Sequence, residues 1–203
     1  VWITRLARFC SDADGFTVGS ELDQTLAGNE RRWRDIISVV RAETDAALTY
    51  AANWPDYQRV PFWDALDVIS VSAYFPMVNH QRMPEVAELD RSWQRIRGEA
   101  LAYGRKQNRR VVFMELGYDI GMNAAREPWK DGDRRPGGEV MQALCLDRAL
   151  AAIGEEDDLV GVFLWKWFAG PARRETFLVS DPHMREVVAR HWTPRGEMTE
   201  LQP

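Results

Sequence analysis

The chain has little with which to hold a metal or lock itself covalently. Among 203 residues there are three histidines and two cysteines. His80, His183 and His191 form no close ligand pair, which gives a structural metal no support. Cys10 and Cys145 stand far apart without metal or redox spacing. They read as small buried hydrophobes and leave the redox compartment open. No apolar run approaches the ~20 residues that cross a bilayer. Massed basic charge is missing too: the net charge is −5, which argues against a nucleic-acid surface. The densest basic patch, Arg105-Lys106-Gln107-Asn108-Arg109-Arg110, reads as solvation of a turn ahead of a strand. The sequence opens with Val1 and no signal sequence is visible, so export stays undecided.

What is present is ordinary for a globular domain with a substantial core, at 45% hydrophobic and 28% charged residues. The one excess is nine tryptophans. Aromatics serve cores and sugar faces alike, and Trp33, Trp63 and Trp93, on helical segments, read as core.

Helix and strand alternate with neither a linker nor a low-complexity stretch. Residues 1–10 read as a helix on the spacing of Ile3, Leu6 and Ala7. A strand closing at Glu21 follows, then an amphipathic helix from Glu30 to Thr44 with a stripe of Trp33, Ile36, Ile37 and Val40. Ala47–Asn53 is a strand, Phe62–Leu66 a short helical piece, and Asp67–Phe75 a strand stopped by Pro76. The spacing predicts a helix over about 90–103 that buries Trp93, Ile96, Ala100 and Tyr103, with Gly104 as its cap. A strand through Glu115 comes next, then a polar loop over about 119–138, a helix over 139–153, a strand over 159–167 and a helix over 184–192. Asp119 and Asp131 read as solvated loop acids. The domain is expected over 1–192, with 193–203 a tail.

This alternation predicts an α/β fold, a parallel sheet flanked by helices. Five strands fit an open doubly wound sheet or part of a barrel. In Asp67–Phe75 one side carries Ser70, Ser72 and Tyr74, the other Ile69, Val71 and Ala73. Open-sheet strands are apolar on both sides, so the small polar row favours the barrel interior. The expectation is the C-terminal portion, about strands 4–8, of a (β/α)8 TIM barrel, with strands 1–3 missing from a longer protein.

Two apolar strand-like runs, Phe16-Thr17-Val18-Gly19-Ser20-Glu21 and Val111-Val112-Phe113-Met114-Glu115, end on or near a glutamate. A carboxylate there is costly unless it is paired or used, and that end of a barrel is where active sites assemble. Two such carboxylates suit glycoside hydrolysis, one protonating the departing oxygen and the other attacking the anomeric carbon. Nearby Gly19 and Gly117 would permit close backbone approach.

The segments Val18-Gly19-Ser20-Glu21-Leu22, Leu48-Thr49-Tyr50-Ala51-Ala52-Asn53-Trp54, Phe62-Trp63-Asp64-Ala65-Leu66-Asp67, Ser72-Ala73-Tyr74-Phe75-Pro76, Met114-Glu115-Leu116-Gly117-Tyr118, Glu127-Pro128-Trp129 and Trp165-Lys166-Trp167 resemble glycoside hydrolase family 113. The likeness runs over about residues 1–192 in the family's order. That family belongs to a clan of retaining (β/α)8-barrel glycosidases, and its characterised activity is on β-1,4-mannan. The resemblance implies a retaining β-glycoside hydrolase with Glu21 as general acid/base and Glu115 as nucleophile. Tyr74 would hydrogen-bond the nucleophile, and Asn53 and Trp54 would line the sugar cleft. Trp165 and Trp167 would form a platform under the sugar, and Trp129 a cover. Ser20 stands where many clan members have Asn, which leaves the partner of the sugar's 2-hydroxyl open. Lys166, of opposite parity to Trp165, would extend outward. No metal or organic cofactor is implied; the expected partner is a polysaccharide or oligosaccharide, with no nucleic acid. The rival readings are a catalytically idle barrel that binds carbohydrate or serves a cell-wall or phage-tail-like structure, and an isomerase, for which metal ligands are not evident.

Overall fold

A computed structural model of the chain describes residues 2–132, 135–154, 159–170 and 176–192. The expected tail at 193–203 lies outside the described residues. Two compact units partition the chain. One comprises Val1–Phe75, Gly98–Leu116 and Glu155–Phe163; the other comprises Pro76–Arg97, Gly117–Gly154 and Leu164–Pro203.

The elements follow one another as α1 (Trp2–Phe9), β1 (Gly15–Ser20), α2 (Glu30–Arg41), β2 (Ala47–Asn53), β3 (Val68–Ser72), α3 (Val86–Gln107), β4 (Arg110–Leu116), α4 (Gly138–Ile153), β5 (Leu159–Leu164) and α5 (Pro182–Trp192). The strands form one five-stranded sheet in sequential order, β1 to β5. The pairs β1/β2, β2/β3 and β3/β4 are each parallel. Helices α2, α3 and α4 lie between β1 and β2, β3 and β4, and β4 and β5, while the crossover from β2 to β3 carries only the short helical turns Tyr57–Arg59 and Trp63–Ala65. This is the parallel β/α arrangement of part of a TIM barrel.

In the first unit, α2 buries Trp33, Ile37 and Val40 of the stripe read from the sequence, while Ile36 is only part-buried. Trp33 stacks on Phe62 with ring centroids 5.4 Å apart and meets Tyr50 edge-on at 5.3 Å. Gly19 lies beside this cluster, where a Cβ would come within 2.8 Å of the Trp33 ring. Trp63 is buried and its indole donates to the Tyr57 carbonyl at 2.7 Å. On β2 and β3 the small polar side chains are inside: Thr49, Ser70 and Ser72 are all buried. The Thr49 hydroxyl contacts that of Ser70 and donates to the Val68 carbonyl at 2.8 Å.

Several sequence expectations need correction. Gly104 does not cap α3, which runs on to Gln107. It lies inside the helix because a Cβ there would come within 2.7 Å of the Arg109 carbonyl oxygen. The left-handed residue after the helix is Asn108, at φ 53°, and the Arg109 amide donates back to the Gly104 carbonyl at 2.9 Å. Cys145 is fully buried but Cys10 is only half-buried. Leu6, placed by spacing on the inner stripe of α1, is exposed, whereas Ile3 and Ala7 are buried. Tyr103 is only part-buried, and its hydroxyl donates to the Gln58 carbonyl.

In the second unit, Trp93 is fully buried on α3. Asp119, read as a solvated loop acid, is buried, with 1% of its surface exposed. The loop folds back on itself there: the Ile120 amide donates to the Thr176 carbonyl, and the buried Gln142 side chain on α4 donates to the carbonyls of Tyr118 and Thr176. No described helix is long and apolar enough to cross a membrane.

Candidate active site

Both glutamates follow a slip in strand register. In β1 the pairing with β2 shifts between Thr17 and Ser20. In β4, Val71 pairs with Phe113 but Ser72 pairs with Glu115, so two β4 residues oppose one on β3. Such bulges bend a strand and re-aim the side chains beyond them. Glu21, the first residue after β1, also sits at φ 50°, in the left-handed region. That conformation costs about 1 kcal/mol for a residue with a Cβ. Two hydrogen bonds hold the turn: the Glu21 amide donates to the Ala51 carbonyl at 2.9 Å, and the Leu22 amide to the Tyr50 hydroxyl at 2.8 Å.

Glu115 is part-buried at the C-terminal end of β4. The Tyr74 hydroxyl, two residues beyond β3, donates to its Oε2 at 2.8 Å. Burial pushes the Glu115 carboxyl above the usual carboxylate range; the Tyr74 hydrogen bond opposes this, and the charge of Glu21 adds to it. The two carboxyls are thus close enough for one to feel the other. Burial, and then the hydrogen bond to Glu115, push the Tyr74 hydroxyl up as well, so it remains a donor at any working pH.

Asn53 closes β2 in register with Ser72, which is itself in register with Glu115. Its side-chain oxygen accepts the Trp54 amide at 2.9 Å. Trp54 packs against Phe75 at 5.7 Å. Glu21, Glu115, Tyr74, Asn53 and Trp54 therefore all belong to the first unit, at the C-terminal ends of its strands.

Sequence reasoning missed Asp23. Burial raises its carboxyl, the charges of Asp56 and Glu21 raise it further, and a hydrogen bond with the Asn53 side chain opposes them. Together with Asp56, Arg59 and Pro61, Asp23 lines an open cavity of about 720 Å³. An acid in a turn gives no sequence signal; only its proximity to Glu21 singles it out.

The other three candidate tryptophans, Trp129, Trp165 and Trp167, lie in the second unit, each about half exposed. The Trp165–Lys166 peptide is cis. Lys166 does not extend away as expected: its ammonium lies 5.6 Å from the Trp165 ring and 5.1 Å from that of Phe168. A cation is drawn to the negative face of an aromatic ring. The Arg185 guanidinium lies 5.4 Å from the Trp167 ring. Gly117 makes the backbone approach its type permits, since a Cβ there would fall 1.8 Å from the Trp165 carbonyl oxygen. Among the described residues no cluster of His, Cys, Asp and Glu could hold a metal ion.

A parallel β/α sheet with a bulge before each of two strand-end carboxylates defines a barrel-type fold whose polar site gathers at the C-terminal strand ends. The family model described as Glycoside Hydrolase Family 113 matches residues 3–178, and the chain belongs to that family. The GH113 β-mannanase AaManA from Alicyclobacillus acidocaldarius, solved in complex with ManMIm, is similar at TM-score 0.76 and 27% identity over 93% of this chain and 58% of its own. A GH113 β-1,4-mannanase complex is similar at TM-score 0.76 and 23% identity, over 95% of this chain and 60% of that one. Faecalibacterium prausnitzii β-glucuronidase shares the fold at TM-score 0.60 and 15% identity, over 93% and 34% of the two chains. The chain thus spans about 60% of the length of these mannanases. No curated protein matches it.

Proposed function

We propose that the protein carrying this chain is a retaining β-glycoside hydrolase acting on β-1,4-mannan or a related polysaccharide. In this reading residues 1–192 belong to its catalytic domain. The observation that carries the proposal is the pair of carboxyls at the ends of β1 and β4, with Glu115 part-buried and held by the Tyr74 hydroxyl at 2.8 Å; burial, and then the charge of Glu21, raise its carboxyl. Family membership and the likeness to proteins named as β-mannanases support the substrate class.

In the first step Glu21 gives its proton to the glycosidic oxygen as the bond from that oxygen to the anomeric carbon breaks. A Glu115 carboxylate oxygen attacks the same carbon, forming a glycosyl ester. Glu21, now ionised, then takes a proton from water; the resulting oxygen attacks the anomeric carbon and Glu115 departs as carboxylate. The double displacement retains configuration and balances without a cofactor. Tyr74 steadies the ionised form of Glu115 that both attacks and leaves. Asn53 would present its amide to sugar hydroxyls, with Trp54, Trp129, Trp165 and Trp167 offering aromatic faces to the sugar rings.

The test is hydrolysis of an aryl-β-mannoside by the full-length protein. Glu115→Gln is expected to abolish turnover, and unaltered turnover would remove Glu115 from the mechanism. Glu21→Ala is expected to regain turnover with azide on a substrate whose leaving group needs no proton. Lack of rescue in a folded variant would count against the acid/base role. Calorimetric binding of mannooligosaccharides without any turnover would instead support the idle, carbohydrate-binding reading.

A further inference from the structure

Ser72 is the last residue of β3 and is 0% exposed. Among the described residues its hydroxyl has no hydrogen-bond partner. Buried hydroxyls are nearly always bonded, and an orphan carries a penalty that alanine would not. The hydroxyl one step down the same face is matched, Ser70 against Thr49. Along β3 the mismatch falls at the row of the site. Register partners in parallel strands share a face, and the row reads Asn53, Ser72, Glu115. Tyr74, of the same parity as Ser72, already donates to Oε2 of Glu115, and among the described residues Oε1 accepts no hydrogen bond.

We propose that Ser72 is a positioning residue for Glu115, its hydroxyl turning about χ1 to give the carboxylate a second hydrogen bond when a sugar ring covers the site. The inference rests on the reading of Glu115 as nucleophile and deepens it. The groups that bear on Glu115 are Tyr74, from the end of β3, and Glu21, from the end of β1; the charge of Glu21 also bears on Asp23, as does that of Asp56. Only Tyr74 favours the ionised form, while burial and Glu21 oppose it. Covering the carboxylate with sugar removes the water that eases its charge, so a second donor is needed most at that moment. A χ1 rotation supplies one without backbone movement.

The experiment compares Ser72→Ala with the parent full-length protein, reading kcat and KM against pH on an aryl-β-mannoside. Ionised Glu115 is the competent form, so losing a donor moves the acid limb of the kcat profile upward, by roughly half to one pH unit. At the pH optimum kcat falls roughly three- to tenfold while KM stays within about twofold, as for an interaction made mainly in the transition state. Ser70→Ala, whose hydroxyl serves the sheet interior, lowers the melting temperature but leaves the limb in place. If Ser72→Ala does not fold, Ser72→Cys, of similar shape with a weak donor, is read in the same way. An unmoved limb with unchanged kcat overturns the proposal. If Glu115→Gln is inactive at the same time, only the role of Ser72 falls; if Glu115→Gln is fully active, the nucleophile reading falls with it.

Discussion

Replacing Tyr74 by Phe removes one oxygen and leaves the ring to fill the same buried space. The lost contact is the 2.8 Å hydrogen bond to Glu115. A hydrogen bond to a charged group contributes about 1.5–3 kcal/mol. Glu115 is only part-buried, so solvent screening favours the lower end, about 1.5 kcal/mol. At 1.36 kcal/mol per pH unit, the acid limb of kcat/KM should rise by about one unit. Stability follows the same sign. Burial already holds the folded Glu115 carboxyl above its ordinary value. The protonated form is therefore favoured by folding, and its contribution, full below the ordinary carboxylate range, is lost as pH rises through the raised value. Tyr74→Phe widens that window upward. Relative to the parent, the variant should be about 1.5 kcal/mol less stable at pH 7 from this cause, with the deficit shrinking toward pH 4. Urea denaturation at the two pH values tests the linkage independently of activity, and the pH–rate profile tests the catalytic consequence. A folded variant whose deficit is the same at both pH values, or whose acid limb moves downward, would refute the reasoning.

Two backbone predictions follow from positions where a Cβ matters. Glu21→Gly and Glu21→Ala both remove the carboxyl, but only glycine suits φ 50°; Glu21→Gly should be more stable than Glu21→Ala by about 1 kcal/mol in thermal or urea unfolding, and equal stability would mean that the turn relaxes. Gly117→Ala places a methyl 1.8 Å from the Trp165 carbonyl oxygen, so backbone must move; a loss of about 3 kcal/mol or more is expected in the denaturant midpoint, and a loss below about 1 kcal/mol would show that the close approach is dispensable.

The alternation of elements, the buried stripe of α2 and the polar face of β3 were legible from the sequence because each is a matter of local period. Seven short segments in order carried the family. The two glutamates could be picked out because a charge ending an apolar run is conspicuous in one dimension. The influence of one on the other could not, since the charge of Glu21 reaches Glu115 only through sheet order and register, and the bulge before each is set by pairing across strands. Gly104 was misread as a cap because a glycine near a helix end and one pressed against a neighbouring segment look alike in sequence. Asp119 looked like a loop acid until the chain folded back over it. Local chemistry fixed the types of element and the candidate side chains; long-range packing alone decided which of those side chains share an electric field, and whether Ser72 finds a partner.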